Sequence, residues 1–285
     1  MPLILDGTNG VNASTGSLNL QTGGTSAITI DSSQVATFSN APTSGIQSTY
    51  SVRGLTGTNN STTPNTQYDF SADAVVLINT NGAPIRRVNT GTITNNVSAA
   101  GAVANGRDQS GTFSSSSWIH FYFIWNGTTL ATVSSATAPP TGPTLPSGYT
   151  HWAYIGAVRF NGSSQLYSTT IRGSRVTYKA GSVLSGQTYI VNNGSASSYT
   201  SVSMSSLVPP NALLVQLEAS SYIGSISSSG SQSVMEVDLS VDGSVTTAGV
   251  FCAQNPGGTS GVIAIGGQAI VPNVSQTVYY RHNNS

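Results

Sequence analysis

The amino-acid sequence predicts an all-β protein, and three features of the chain carry that prediction. Short apolar runs recur throughout, and clusters of Gly, Asn, Ser and Pro separate them, as strands and turns require. No stretch keeps helical periodicity for more than about two turns. Hydrophobic residues make up 38% of the 285 residues and charged residues only 6%, which indicates a folded chain covered with hydroxyl and amide groups.

The first segment, residues 1–44, consists of very short apolar runs that each end in a turn signal. These runs are Leu3 to Leu5, Leu18 to Leu20, Ala27 to Ile30 and Val35 to Phe38. Each run offers too few apolar side chains for an independent core, and short hairpins are marginal on their own. The segment therefore needs further copies of itself or a docking surface, and we expect three chains to intertwine in a homotrimer.

Residues 45–179 are predicted to form a middle β domain. A linker rich in Thr, Ser, Gly and Asn, Ala41 to Asn65, leads from the first segment into it. Asp73 to Asn79 is a nearly continuous apolar run, as expected for a strand buried on both faces. The core of this domain is predicted to be residues 74–79 packed against two aromatic hairpins.

The aromatic hairpins lie between Phe113 and Tyr178, a stretch that contains all three tryptophans. Trp118 to Trp125 alternates with period two, so that Ile119, Phe121, Phe123 and Trp125 make one wholly apolar face. Asn-Gly pairs at 126–127 and 161–162 supply the two tight turns. Four prolines and two glycines between Ala138 and Gly148 exclude a helix or a central strand there, so we expect a fixed extended connection.

Residues 180–285 are predicted to form a C-terminal β sandwich of jelly-roll type. About nine short strands recur there at spacings near ten residues, which is typical of sandwiches. Val234 to Val241 is the clearest: its apolar side chains alternate with Glu236, Asp238 and Ser240.

Several strings resemble tail-fibre and related virion surface proteins of tailed bacteriophages. The sharpest are NGTTLATVSSAT (126–137) and LPSGYTHWAYIGAVR (145–159); weaker echoes lie at Thr22 to Asn40 and Ser205 to Ser220. The resemblance implies a protein made in the bacterial host cytoplasm and assembled on the virion. It makes residues 1–44 the attachment or shaft segment, in contact with a tail adaptor or the capsid. The apolar residues assigned to that attachment are Leu3, Ile4, Leu5, Leu18, Leu20, Ile28 and Ile30.

The net charge of the chain limits the kinds of partner that it can attract. Nine basic and nine acidic side chains give a formal net charge of zero, so electrostatic binding to nucleic acid or anionic lipid is not expected. No apolar run reaches membrane-spanning length, and the first ten residues lack the features of a signal peptide. We therefore expect no nucleic-acid partner and no membrane insertion.

Catalysis is not expected either. Glycoside hydrolysis needs two carboxylates at a defined separation, and the clusters available are Asp69 with Asp73 and Glu236 with Asp238 and Asp242. Strand alternation and a Val-Asp-Gly turn account for the second cluster as a solvated face. No nucleophile elbow, phosphate-binding loop or metal-ligand spacing occurs, so no cofactor or metal is expected.

Binding is the favoured class of function, because aromatic rings stack on sugars and neutral polar side chains satisfy sugar hydroxyls. The candidate receptor-binding residues are Tyr199, Tyr222, Tyr279 and Tyr280, with core or trimer-interface roles as the alternative. Arg86, Arg87, Arg172 and Arg175 are candidates for gripping acidic sugars; the alternative is hydrogen bonding to loop carbonyls or the protection of a strand edge.

The sequence is compatible with three functions. The favoured one is a homotrimeric tail fibre or spike that attaches to a host surface glycan or protein by multivalent binding. The second is a head fibre or capsid decoration protein. The third is a virion-associated enzyme that degrades polysaccharide.

Overall fold

The fold was analysed in a computed structural model. It describes residues 18–22, 25–30, 36–38, 52–179, 190–191, 194–222, 233–255 and 264–284. These residues contain strands, turns and loops but no helix, so the all-β prediction is confirmed. Leu3, Ile4 and Leu5 lie outside the described residues.

Three short strands form an antiparallel sheet near the N-terminus. They are β1 (Leu18–Thr22), β2 (Thr25–Ile30) and β3 (Ala36–Phe38). The register places Leu18 opposite Ile30 and Leu20 opposite Ile28. Four of the predicted attachment residues thus occupy paired positions in one sheet.

Two sheets make up residues 52–179. The seven-stranded sheet has the order β10-β12-β11-β13-β7-β4, with β8 on the free side of β7; its strands are β4 (Val52–Arg53), β7 (Ala74–Asn79), β8 (Pro84–Val88), β10 (Gly106–Arg107), β11 (Trp118–Trp125), β12 (Leu130–Ser135) and β13 (His151–Arg159). The five-stranded sheet has the order β15-β14-β5-β6-β9; its strands are β5 (Thr56–Asn59), β6 (Gln67–Ser71), β9 (Ile93–Asn96), β14 (Thr169–Arg172) and β15 (Arg175–Tyr178).

The predicted apolar face of β11 is the centre of the middle core. Ile119, Phe121 and Phe123 are fully buried on it, and they pack against the facing sheet. The ring of Phe121 lies 5.6 Å from that of Tyr68 and 5.0 Å from that of Phe70. Both partners belong to β6, which the sequence analysis did not single out.

The other face of β11 is buried as well. Tyr122 and Ile124 are fully buried there, and Leu145 and Tyr149 of the proline-rich connection pack on their cluster. The Tyr122 hydroxyl donates a 2.6 Å hydrogen bond to the Thr137 carbonyl. The proline-rich connection therefore covers the face of the seven-stranded sheet that points away from the five-stranded sheet.

Several predictions in this domain need correction. The second aromatic hairpin, expected to turn at 161–162, does not form, because β13 and β14 belong to different sheets and only Phe160 and Leu166 bridge the two runs. Residues 74–79 do not pack on the aromatic strands from a facing layer, since β7 pairs with β13 in the same sheet.

The linker expected from Ala41 to Asn65 contains two strands: β4, which pairs with β7, and β5, whose Thr-Gly-Thr-Asn backbone has partners on both sides in β14 and β6. Strand β7 was expected to be buried on both faces, but Ile78 is 42% exposed because β7 lies near the edge of its sheet.

The C-terminal residues form a four-stranded sheet of order β16-β21-β18-β19 and a two-stranded sheet β17-β20. Their strands are β16 (Thr200–Ser203), β17 (Leu214–Tyr222), β18 (Ser233–Ser240), β19 (Ala248–Asn255), β20 (Ala264–Pro272) and β21 (Thr277–Asn284). One apolar cluster joins the two sheets, with Val215 and Val271 from one and Val237 and Leu239 from the other. A β sandwich fits this arrangement. The described residues hold six strands here. The runs predicted before and after Gly266 form the single strand β20, and most of the runs predicted at Thr188 to Val191 and Tyr222 to Ser227 lie outside the described residues.

The segment that leads from β16 into β17 contacts the middle domain through polar groups. Trp118 Nε1 donates to the Ser205 carbonyl at 3.0 Å, and the Tyr178 hydroxyl donates to the Leu207 carbonyl at 2.8 Å. Residues 205–207 thus follow the surface of the aromatic hairpins, and the bonds resist separation of the two domains.

A third polar link in this region passes through a buried histidine. Asn211 Nδ2 donates to the Tyr154 hydroxyl at 2.9 Å, and that hydroxyl lies 3.1 Å from His120 Nδ1. His120 is 2% exposed, and burial lowers its pKa from 6.5 to about 4. The neutral ring and the Tyr154 hydroxyl share this hydrogen bond, and the tautomer of the ring decides which of them donates.

Acidification is expected to destabilise the protein through His120. The unfolded chain takes up a proton near pH 6.5, whereas the folded ring resists it until about pH 4. Through this group the free energy of unfolding falls by about 3 kcal/mol between pH 6.5 and about pH 4, and it does not fall further below that pH. Chemical denaturation of the wild type and of His120→Gln between pH 7 and pH 4 measures this. Parallel pH profiles for the two proteins would contradict the assignment.

Candidate functional site

The candidate site is the outer face of the four-stranded C-terminal sheet. Strand alternation divides its side chains: Val237, Leu239 and Val278 pack into the apolar core. Their neighbours in sequence project from the opposite face, which is not covered by the two-stranded sheet. We define the outer face by Tyr199, Glu236, Asp238, Tyr279 and Arg281.

An ion pair lies in the middle of the outer face. The register places Arg281 of β21 directly opposite Asp238 of β18. Both Nε and Nη2 of Arg281 lie 2.8 Å from Asp238 Oδ2. The carboxylate is 4% exposed beneath a guanidinium side chain that is 36% exposed. Hydrogen bonding to Asp238 raises the pKa of Arg281 further above its usual range, so the guanidinium stays charged.

Tyr199 flanks the ion pair on one side. It precedes β16, where Thr200 is paired with Tyr280, and this register brings Tyr199 beside Arg281. The Arg281 Cζ atom lies 4.6 Å from the centre of the Tyr199 ring, within the range of a cation–π contact. The Tyr199 hydroxyl shares a 2.5 Å hydrogen bond with Thr246 Oγ1. The half-exposed ring is thus held in one orientation.

Tyr279 flanks the ion pair along β21 and is also half-exposed. Its ring lies against Gly243, where an added Cβ would stand 2.9 Å from the ring and where φ is +76°. The turn at Gly243 is fixed by Asp242, whose carboxylate accepts from the backbone N–H groups of Ser244 and Val245. These bonds hold the pKa of Asp242 well below its usual range. A glycine in this turn therefore permits the close approach of the ring to the backbone.

A second glycine makes room for Glu236. An added Cβ at Gly249 would overlap Oε1 of Glu236. The carboxylate thus leans over bare backbone of β19.

The four predicted receptor-binding tyrosines differ in position. Tyr199 and Tyr279 lie together on the outer face, as described. Tyr280 lies on the opposite face, packed against the apolar core with its ring 6.2 Å from His282, which matches the alternative of a core residue. Tyr222 ends β17 opposite Ala264, and its side chain lies outside the described residues.

Asp238 and Arg281 were not named as binding residues from the sequence. Asp238 was expected on a solvated face, but it is 3% exposed because Arg281 covers it. The two residues are 43 positions apart. Only the polar alternation of β18 pointed to this face, and nothing in the sequence identified its partner strand.

The four candidate arginines of the middle domain fit the edge and carbonyl alternatives. Strand β8 pairs only with β7 in the described sheet, so Arg86 and Arg87 line an edge. Arg87 donates to the Arg86 carbonyl and stacks over Trp125 at 3.8 Å. Arg172 donates to the Ile171 carbonyl, and Arg175 bonds the Gln216 side chain.

Nowhere in the described ranges do three His, Cys, Asp or Glu side chains form a group that could hold a metal ion. The described part of the chain also has no helix long and apolar enough to cross a membrane.

The chain was also compared with known proteins. No protein-family model, curated protein or solved structure matches it.

Proposed function

We propose that this protein is a tail fibre or spike of a tailed bacteriophage that attaches the virion to its host through the outer face of the C-terminal sheet. One observation carries the proposal. Two half-buried tyrosine rings, Tyr199 and Tyr279, flank a fixed Arg281–Asp238 pair on the outer face. The resemblance of strings within residues 126–159 to phage tail-fibre proteins is the reason for placing the protein on a virion.

The chemistry of the outer face suits the surface of a glycan. A half-exposed aromatic ring offers a large apolar surface that loses little conformational entropy on binding. The Arg281–Asp238 pair adds charged hydrogen-bonding groups whose positions are already set, so little ordering cost remains when a ligand binds.

Weak single sites become useful when several act together. In this proposal the chain forms a homotrimer, and three outer faces engage the host surface at once, which raises avidity without any new contact. Residues 1–44 join the fibre to the virion through a tail adaptor or the capsid. In β1 and β2, the pairs Leu18–Ile30 and Leu20–Ile28 are the positions proposed to carry that contact.

The test has two parts, both on the full-length chain. Sedimentation should give the mass of a trimer of the 29.1 kDa chain, and fluorescently labelled protein should adhere to some strains of a bacterial panel. Gold-labelled antibody on virions should mark the tail. Gold on the head would favour the decoration-protein alternative, and a monomer that adheres to no strain would overturn attachment.

A further inference from the structure

Both tyrosine rings of the outer face contact one short loop between β18 and β19. We define this loop as residues 242–246. At its end, Thr246 Oγ1 lies 2.5 Å from the Tyr199 hydroxyl. Near its start, a Cβ built on Gly243 would lie 2.9 Å from two carbon atoms of the Tyr279 ring. Two rings from separate parts of the chain thus rest against a single stretch of backbone.

The loop keeps its shape through its own hydrogen bonds. Asp242 Oδ1 accepts from the backbone N–H groups of Ser244 and Val245 at 2.8 Å and 3.1 Å. The Ser240 hydroxyl also donates to Asp242 Oδ1, at 2.9 Å. Ser240 is fully buried and lies opposite Tyr279 in the register. The loop is therefore anchored to the sheet beside Tyr279 before any ligand binds.

The Thr246 contact fixes a part of the Tyr199 ring that the neighbouring cation does not. Tyr199 lies just before β16, the edge strand of the described four-stranded sheet. Arg281 lies over one side of the ring at 4.6 Å and restricts its plane. The hydroxyl, at the far end of the ring, is hydrogen-bonded to Thr246. The direction in which the ring points therefore depends on the loop.

We infer that the loop sets the geometry of the outer face for binding, with Thr246 as the positioning residue of Tyr199 and Gly243 as that of Tyr279; this inference rests on the proposed function. Neither positioning residue has to touch the ligand. Each keeps one ring beside the Arg281–Asp238 pair. When either contact is lost, a ring moves, and part of the binding free energy is lost in ordering it again.

A double-mutant cycle of Tyr199→Phe and Thr246→Val tests the hydrogen bond between the two side chains. Each change removes one hydroxyl and keeps the approximate shape of the side chain. We expect each to weaken adhesion of the full-length protein to its host strain at least about fivefold, the value of a neutral hydrogen bond. The double variant should be no weaker than either single variant, and Thr246→Ser should restore adhesion.

Thr247→Val is the matched control. It removes the next hydroxyl along the chain, which accepts from the Val241 N–H rather than bonding a tyrosine, so adhesion should be unchanged. Fluorine NMR of protein labelled with fluorotyrosine gives a second readout that needs no host, with the Tyr199 signal assigned from Tyr199→Phe. That signal should shift or broaden in Thr246→Val and stay in place in Thr247→Val.

Gly243→Ala tests the second contact. The added methyl group displaces the Tyr279 ring, so adhesion should fall as it does in Thr246→Val. The substitution also strains the backbone, because φ is +76° at Gly243. Gly82→Ala measures that strain alone, since φ is +78° there and nothing lies within 4 Å of the added Cβ. It should leave adhesion unchanged.

Three results would overturn the inference while the proposed function stands. They are adhesion that survives both Thr246→Val and Gly243→Ala, a Tyr199 signal that Thr246→Val leaves in place, and a larger loss from Tyr199→Phe than from Thr246→Val. The last would mean that the Tyr199 hydroxyl contacts the ligand directly. If the wild type adheres to no strain of the panel, the proposed function and the inference are both refuted.

Discussion

Phe121→Ala is expected to lower the free energy of unfolding of the middle domain by about 3–5 kcal/mol. Phe121 is fully buried, and its ring joins the two sheets by contacting Tyr68 and Phe70. Truncation leaves a cavity in which both partner rings lose contacts. Backbone strands on either side hold the sheets apart, so the cavity collapses only in part.

Urea denaturation followed by tryptophan fluorescence measures this loss. Val88→Ala is the matched control, because Val88 is 50% exposed on the edge strand β8 and should change stability by less than about 0.5 kcal/mol. A loss below about 1 kcal/mol for Phe121→Ala would mean that the two sheets do not share this core.

The double variant Tyr199→Ala/Tyr279→Ala is expected to reduce adhesion to host cells by about 100-fold or more. Removing both rings weakens every site of the proposed trimer, so the avidity gain of about 10²–10⁴-fold is lost with it. Flow cytometry with labelled protein over a concentration series measures the shift, and sedimentation confirms that the variant keeps its oligomeric state.

A second pair of substitutions controls for nonspecific apolar adhesion. Leu213 is 84% exposed and Ile270 is 63% exposed, and both lie in or next to the other sheet of the sandwich. Leu213→Ala/Ile270→Ala should leave adhesion unchanged. Equal losses from the two double variants would show that adhesion is not located on the outer face.

The period-two pattern of large apolar side chains was sufficient to predict the aromatic strand β11. The boundaries expected for Trp118 to Trp125 are those of β11, and its apolar face is the one that packs in the core. The Asn-Gly turns also lie where they were expected: Asn126 accepts hydrogen bonds from the N–H groups of Thr128 and Thr129. Local sequence sets these features because they depend on neighbours only a few residues away.

Weakly patterned strands were not predictable in the same way. Strand β5 reads Thr-Gly-Thr-Asn and has no apolar alternation, yet it lies between β14 and β6. Gly57 packs there against Tyr68 and Ile171, where a Cβ would stand 3.0 Å and 3.1 Å from their side chains. Such a strand forms because distant strands supply its hydrogen bonds, which a local window of sequence does not contain.

The sequence by itself determined the all-β class, the aromatic core strand, its turns and the tyrosines worth considering as a binding surface. Tertiary structure alone decided which of those tyrosines share a face. Tyr279 and Tyr280 are adjacent in sequence but lie on opposite sides of β21. The Arg281–Asp238 pair, 43 residues apart, exists only because β18 and β21 are neighbours in one register. Strand pairing is non-local, and a shift of one residue would exchange the core and the outer face.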